Sequence, residues 1–481
     1  MNYKDLKPKK VFYFFHEICQ LPHPSKHEEK VIRYIQDFAA TRNLWCETDL
    51  SGNVLVRKPA TPGREKIPGV VLQSHMDMVP DKRKEVTHNF LTDPIQTQIQ
   101  GDWLQAKGTT LGADNGIGVA TALAVLDSND LVHGPLECLF TVDEETSLGG
   151  AYSLHSGWMQ SPYLINLDSE EEGEIFVGCA GGNSLHATFP YIPEKAPADY
   201  FYVRLGIEGL TGGHSGDDIH KSRANAIKLM ASFINRLMEK YDLHLCSIAG
   251  GSKHNAIPIE STALIAVPMK DKESIRVDLN IFSSEMEREY SVTEPRMKMT
   301  MESETPHPIQ LPQDTAMRII KSLVAVHTGV YEFSQEAPNF VHTSNNLAVI
   351  RTTEKEVEAH SSQRSDSAFS LDEITRCVAA SFELGKAVLS IDSAYPGWSP
   401  VYNSHLLEIA KRSYMELFGK EAKVKTIHAG LECGLILQKY PNMEMISFGP
   451  TLRDVHTPEE KMYIPSVLKF WEHLTYLLAH L

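Results

Sequence analysis

The sequence predicts an α/β fold: a helix-covered mixed sheet into which a separate α+β domain is inserted. Three observations carry that expectation. Apolar runs over 69–73, 136–142 and 163–167 have the length of buried strands and alternate with helical periodicity, as a sheet covered by helices requires. The pattern changes after Cys179-Ala180-Gly181-Gly182, where alternating strand signals take over. At 481 residues, 42% of them hydrophobic, the chain exceeds what one core usually holds.

The elements follow in order. Ser25-Lys26-His27-Glu28 has the form of a capping box, and Val31, Ile32, Ile35 and Phe38 then fall on one helical face. Asp49, Ser51, Gly52 and Asn53 read as a turn feeding a strand over 54–56. The three apolar runs end at or near His75, Glu145 and Asp168, which places these residues at strand C-termini, where open α/β sheets form their crevice. A helix is expected over 117–126. In the second section, 200–206, 259–267 and 296–302 read as strands, the last alternating Met297, Met299 and Met301 against Lys298 and Thr300. A helix over 219–241 carries Ile227, Met230, Ile234, Leu237 and Met238 on one face, and another starts at the capping box Ser370-Leu371-Asp372-Glu373. The chain returns near Tyr395-Pro396-Gly397-Trp398. The expected division is 1–186 and 390–481 for the first domain and 187–389 for the insertion.

Composition narrows the function. The balance of 46 basic against 62 acidic residues gives a formal charge of −16, which disfavours nucleic acid and anionic membrane as partners. The first ten residues lead into no apolar stretch long enough for a signal core or a span, so a cytoplasmic location is expected. Seven cysteines without a CxxC pair suggest reduced buried thiols, none assigned to a metal.

Each candidate site residue also has an ordinary explanation. A lone His at a strand end is usually a satisfied polar group. His75 departs from that because Asp77, two residues on, lies on the same face and can accept the far imidazole N–H. Asp114 has the position of an N-cap for the following helix. Asp143-Glu144-Glu145 resembles a solvated acidic turn, yet it follows a buried strand directly. Asp168 opens the run Ser169-Glu170-Glu171-Glu172, expected to be exposed for the most part. Jointly with His456, these residues supply the ligands and the base of a two-metal hydrolase, in which one carboxylate is shared between the cations.

The segments SHMDMVP, GTTLGADNGIG, EET with a following Gly-Gly-Ala, NLDSEEEGEIFVGCAGG, GGHSG, HNAIP, HAGLECG and GPTLRDVHTPEE resemble the M20 metallopeptidase family, and within it the aminoacyl-histidine dipeptidases. The resemblance covers nearly the whole chain. It implies a catalytic domain with two zinc ions and a lid domain that closes on a small peptide substrate. By motif, His75 would bind one zinc, Asp114 would bridge both, Glu145 and Asp168 would complete the two sites, and His456 would close the set. Cobalt or manganese would suit the same donors. Asp77 would orient His75, and Glu144 would be the general base, moving a proton from water to the leaving amine. In the lid, His214 would support the tetrahedral intermediate, Asn255 and Arg364 would hold the substrate carboxylate, and Gly430 would line the pocket by its backbone. Arg suits that task because its guanidinium pairs bidentately with a carboxylate. Glu432 and His428 are read as supporting or structural. A homodimer through the lid is part of the same implication.

The implied activity is hydrolysis of Xaa-His and related dipeptides. An amidohydrolase acting on N-acyl amino acids would use identical metal chemistry and differ only in the pocket. A non-catalytic binding protein on this fold would have lost Glu144 or a ligand, and neither is lost.

Overall fold

The computed structural model describes residues 6–335 and 340–481. Met1–Asp5, part of the stretch read above for a targeting signal, lie outside the described residues. Among the described residues no helix is long and apolar enough to cross a membrane. The chain forms two compact units: residues up to Cys179 with Trp398–Thr426 and Leu431–Leu481, and Ala180–Gly397 with Ile427–Gly430.

The first unit is built on an eight-stranded mixed sheet in the order Trp45–Thr48, Val54–Lys58, Leu136–Thr141, Val70–His75, Tyr163–Asn166, Glu444–Ser447, Glu174–Cys179, Lys423–Ile427. Val70–His75 runs parallel to both neighbours, and Glu444–Ser447 runs parallel to Tyr163–Asn166. The outer pairs at the Trp45 end are antiparallel. Val70–His75 and Leu136–Thr141 are buried at every position, which is why they are mostly apolar, with Gln73 and Glu137 among the buried polar exceptions. Helix Ala113–Asp127 is buried almost throughout and packs in the core with Lys9–Cys19, Glu29–Thr41, His405–Phe418 and Ile464–His480. None of the seven cysteines forms a disulfide, and five are buried.

The turn expected over 49–53 forms. Asp49 Oδ1 accepts the backbone N–H of Ser51 at 2.8 Å and of Asn53 at 3.0 Å, making the turn before Val54–Lys58. The capping box at Ser25 does not form. The helix begins at Glu29 with no side-chain cap, because both box residues are engaged elsewhere. Ser25 Oγ donates to Asp77 Oδ2 at 2.8 Å, and Glu28 Oε1 accepts the backbone N–H of Lys26 at 2.9 Å and of Asp143 at 3.0 Å.

The second unit holds a nine-stranded antiparallel sheet. Its order is Lys298–Glu304, Tyr200–Glu208, Ser261–Pro268, His244–Gly250, Val341–Thr352, Glu356–Ser365, Gly181–Pro190, Val388–Tyr395, with Gly329–Phe333 also pairing Val341–Thr352. Helices Ala226–Met238, Lys272–Glu289, Gln313–Ala325 and Ala368–Glu383 contribute to its own apolar core. Gly181–Pro190 pairs with Glu356–Ser365 from Gly181↔Ser365 to Pro190↔Glu356. The change of sheet therefore comes at 179/180 and 397/398, and the boundaries expected at 186/187 and 389/390 fall inside strands.

Two helix starts differ from expectation. The segment from Ile219 is a short 3₁₀ turn, Ile219–Lys221, and the α-helix begins at Ala226, where Asn225 caps it by accepting the Lys228 N–H at 3.1 Å. The later helix begins at Ala368 with Ser367 as cap. Ser370 is not the cap; its hydroxyl lies 3.0 Å from His342 Nε2.

Candidate metal centre

The candidate site stands at the carboxyl ends of the parallel strands of the first unit, where chain direction and strand order put successive side chains beside one another. His75 ends its strand and is 1% exposed. Its Nδ1 lies 3.3 Å from Asp77 Oδ1 and 3.1 Å from the Asp77 carbonyl, while Nε2 lies 3.1 Å from Asp114 Oδ1 and 3.5 Å from Asp168 Oδ1. Asp77 accepts three further hydrogen bonds, from Ser25 Oγ at 2.8 Å and from the backbone N–H of Glu144 at 3.0 Å and Glu145 at 3.2 Å. The burial of Asp77 is thus met by donors on every side, and its carboxyl is drawn down to about 2 despite that burial.

Asp114 does not cap the following helix. Gly112 holds the cap position with φ +70°, a left-handed conformation that glycine adopts without penalty, and Asp114 and Asn115 have non-helical backbone angles. The departure turns the Asp114 carboxylate sideways. Its Oδ1 faces His75 Nε2 and its Oδ2 faces His456 Nε2, each at 3.1 Å. His456 Nε2 also lies 2.9 Å from Glu145 Oε2, and Glu145 Oε1 is buried with no hydrogen-bond partner among the described residues. Asn115 Nδ2 donates to the Leu167 carbonyl at 2.9 Å and to Asp168 Oδ1. Asp143 alone of the three consecutive carboxylates turns away, accepting Thr146 Oγ1 and, at 2.6 Å, Ser147 Oγ. Beyond Asp168, Glu171 pairs with Arg453, and Glu172 with Lys469 and Tyr414, so only Glu170 of that acidic run is exposed as expected.

These positions produce two donor triads with one member in common. His75, Asp114 and Asp168 form one, and Asp114, Glu145 and His456 the other, the ligand atoms of each lying within 4.8 Å of one another. His75, Glu144 and Glu145 form a third such group. Burial would raise the Asp114 carboxyl, but the two imidazoles outweigh it and hold it far below the usual carboxylate range. Burial would likewise lower His75, and Asp168, Asp114 and Asp77 hold it well above the ordinary imidazole range instead. Burial pushes Asp168 up to about 6. Glu144 is held well above the usual range by burial, with Asp168, Glu145 and Glu432 adding to the effect. Protons alone satisfy this crowd poorly. Two imidazoles, several converging carboxylates and one orphaned carboxylate oxygen match the donors that borderline and hard dications take.

Of two buried carboxylates beside the site, Glu432 is the one read from the sequence as supporting or structural, and Glu460 escaped that reading. Glu432, 0% exposed, accepts Gln73 Nε2 at 2.5 Å and Thr141 Oγ1 at 2.7 Å, and burial pushes it up to about 7. Gln73 in turn accepts Asn166 Nδ2 at 2.5 Å, so a polar chain ties the strand ends together beneath the site. Glu460 is 2% exposed and accepts the backbone N–H groups of Leu111, Gly112, Ala113 and Asp114. A single Glu in a polar string leaves no periodic signature. The proximity of Glu460 to His456 in sequence was the one available sign.

The remaining candidates belong to the second unit. His214 bridges to Ala256, and its Nδ1 lies 3.3 Å from the Gly216 backbone N, 3.2 Å from the Asp217 backbone N and 3.4 Å from Asp217 Oδ2. The Asn255 carbonyl accepts the Ser215 N–H at 2.9 Å. Arg364, 8% exposed, donates from Nη1 to the Tyr395 hydroxyl at 2.8 Å, and its buried Nε has no hydrogen-bond partner among the described residues. Gly430 lies against the same tyrosine: a Cβ there would stand 2.9 Å from Tyr395 Cε2. His428 is buried with Nε2 2.7 Å from Ser344 Oγ, and burial pushes it down to about 3.

Residues 71–480 match the model of peptidase family M20/M25/M40. The chain is 41% identical over 476 residues to the cytosol non-specific dipeptidase of Escherichia coli (strain K12), covering 99% of this chain and 98% of that protein. The crystal structure of aminoacylhistidine dipeptidase from Vibrio alginolyticus matches with a TM-score of 0.92 and 40% identity, covering 100% of this chain and 98% of that one. Aminopeptidase PepT from Bacillus cereus ATCC 10987, at 16% identity and a TM-score of 0.58 over 98% of both chains, shares the fold.

Proposed function

The chain belongs to peptidase family M20/M25/M40, and on that premise we propose that it is a cytoplasmic two-zinc dipeptidase hydrolysing Xaa-His and related dipeptides. The observation that carries the reading is the pair of donor triads sharing Asp114, whose two oxygens face different histidines. His75, Asp114 and Asp168 would hold one cation, and Asp114, Glu145 and His456 the other. When bound, the cations would polarise the scissile carbonyl and lower the pKa of water. Asp77 receives the far N–H of His75 and so fixes the tautomer that leaves Nε2 free to ligate.

Glu144 carries the proton. Its half-buried carboxylate takes a proton from the attacking water and delivers it to the departing amine. In the second unit, Arg364 and Asn255 would take the substrate carboxylate, His214 would support the tetrahedral intermediate, and Gly430 offers backbone where a side chain would strike Tyr395. The first unit thus acts as the catalytic domain and the second as a lid. A homodimer through the lid belongs to the same proposal, and sedimentation tests it.

The test is a substrate panel with metal-loaded and chelator-stripped protein: Gly-His, β-alanyl-His, a tripeptide and an N-acetyl amino acid. Metal-dependent cleavage of the dipeptides alone is expected. Cleavage confined to the acetylated compound would transfer the protein to the amidohydrolases.

A further inference from the structure

Glu460 makes hydrogen bonds that no catalytic step uses. It is 2% exposed, and its two carboxylate oxygens accept four successive backbone N–H groups: Oε2 takes Leu111 at 2.7 Å and Gly112 at 3.0 Å, and Oε1 takes Ala113 at 2.8 Å and Asp114 at 3.3 Å. Consecutive N–H groups converging on one anion form a backbone nest, here wrapped around a side chain of the same chain. The left-handed Gly112 is what curls the segment enough for this.

The nest joins two stretches that are far apart in sequence. Glu460 follows the turn that presents His456, and the segment it grips presents Asp114 and Asn115. His456 Nε2 lies 3.1 Å from Asp114 Oδ2. Asn115, at the end of the gripped segment, donates to Asp168 Oδ1 and to the Leu167 carbonyl. One carboxylate therefore sets the position of the residue common to both triads, and its chain neighbour carries that position on to Asp168.

We propose that Glu460 is a positioning residue for the metal centre: its carboxylate fixes the Leu111–Asp114 backbone so that Asp114 presents one oxygen to each triad. The inference rests on the two-cation reading above. Glutamine at this position has one accepting oxygen in place of two, and its amide would point N–H groups at N–H groups. Aspartate keeps the charge on a shorter stem. Both variants leave every ligand chemically intact.

The experiment is cobalt titration of the stripped full-length protein, followed by the visible absorption of the bound ion and by the fold's circular dichroism. Wild type is expected to bind two equivalents. Glu460→Gln is expected to bind cobalt about 10- to 100-fold more weakly, with altered visible bands, the usual size of effect for a group that supports ligands without touching metal. Glu460→Asp is expected to fold and to fall between the two, and it decides the matter should the glutamine variant not fold. Glu459→Gln, which removes only an exposed pair with Arg83, is the control and is expected to match wild type. Unchanged cobalt affinity and spectrum in a folded Glu460 variant would overturn the proposal. Failure of wild type to bind two equivalents would instead overturn the two-cation reading.

Discussion

The Asp77 carboxylate accepts the backbone N–H of Glu144 at 3.0 Å, so the side chain beside His75 Nδ1 also anchors the residue assigned as base. His75 and Glu144 are thereby held to one carboxylate. Substitution of Asp77 is expected to act twice. Asp77→Ala should weaken metal binding by about 10- to 100-fold and lower kcat even at saturating metal. Full recovery of kcat with added zinc would separate the two effects and remove the second.

Glu144→Ala should retain both metals and lose about three decades of kcat, within the usual range for removal of a positioned acid–base group. Elemental analysis beside single-turnover kinetics checks both halves. Turnover near wild type would assign the proton transfer elsewhere.

Arg364→Ala should raise KM for free dipeptides while leaving a C-terminally amidated dipeptide nearly unchanged. Gly430→Ala should impair the same substrates by pushing Tyr395, the hydrogen-bond partner of Arg364. Equal losses on free and amidated substrates would count against carboxylate recognition by Arg364.

His473 yields a prediction about stability that is independent of metal. It is buried among Tyr414 and Phe448, with Nε2 2.9 Å from the Ala410 carbonyl, and burial pushes its pKa down to about 4. Its unfolded value is near 6.5, so between those values the unfolded chain takes up the proton and the folded chain does not. Stability from this group is complete above about 6.5 and falls as pH drops towards 4, by on the order of 3 kcal/mol. His473→Gln, which keeps a donor without titrating, should flatten the pH dependence of the denaturant midpoint. An unaltered slope would contradict the assignment.

The sequence disclosed most where one residue type faces one environment. The strands ending near His75, Glu145 and Asp168 are buried on both faces and so stand out as apolar runs, and parallel pairing brings their ends together. Signals that depend on distant partners are ambiguous in the sequence alone. Ser25 and Glu28 resemble a capping box, yet they bond to Asp77 and Asp143 across the chain. Asp114 resembles an N-cap, but two histidines and Glu460 decide its orientation. Glu460 acts through backbone N–H groups that any sequence contains, so only the folded chain reveals its place.

The central claim is that two cations share Asp114. Its most direct test is zinc binding by the stripped protein, counted by elemental analysis and followed by titration calorimetry, for wild type and Asp114→Asn. Two equivalents in wild type, with binding at both sites weakened in the variant, is the predicted result; a single equivalent, or loss of only one site when Asp114 is changed, would contradict the shared ligand.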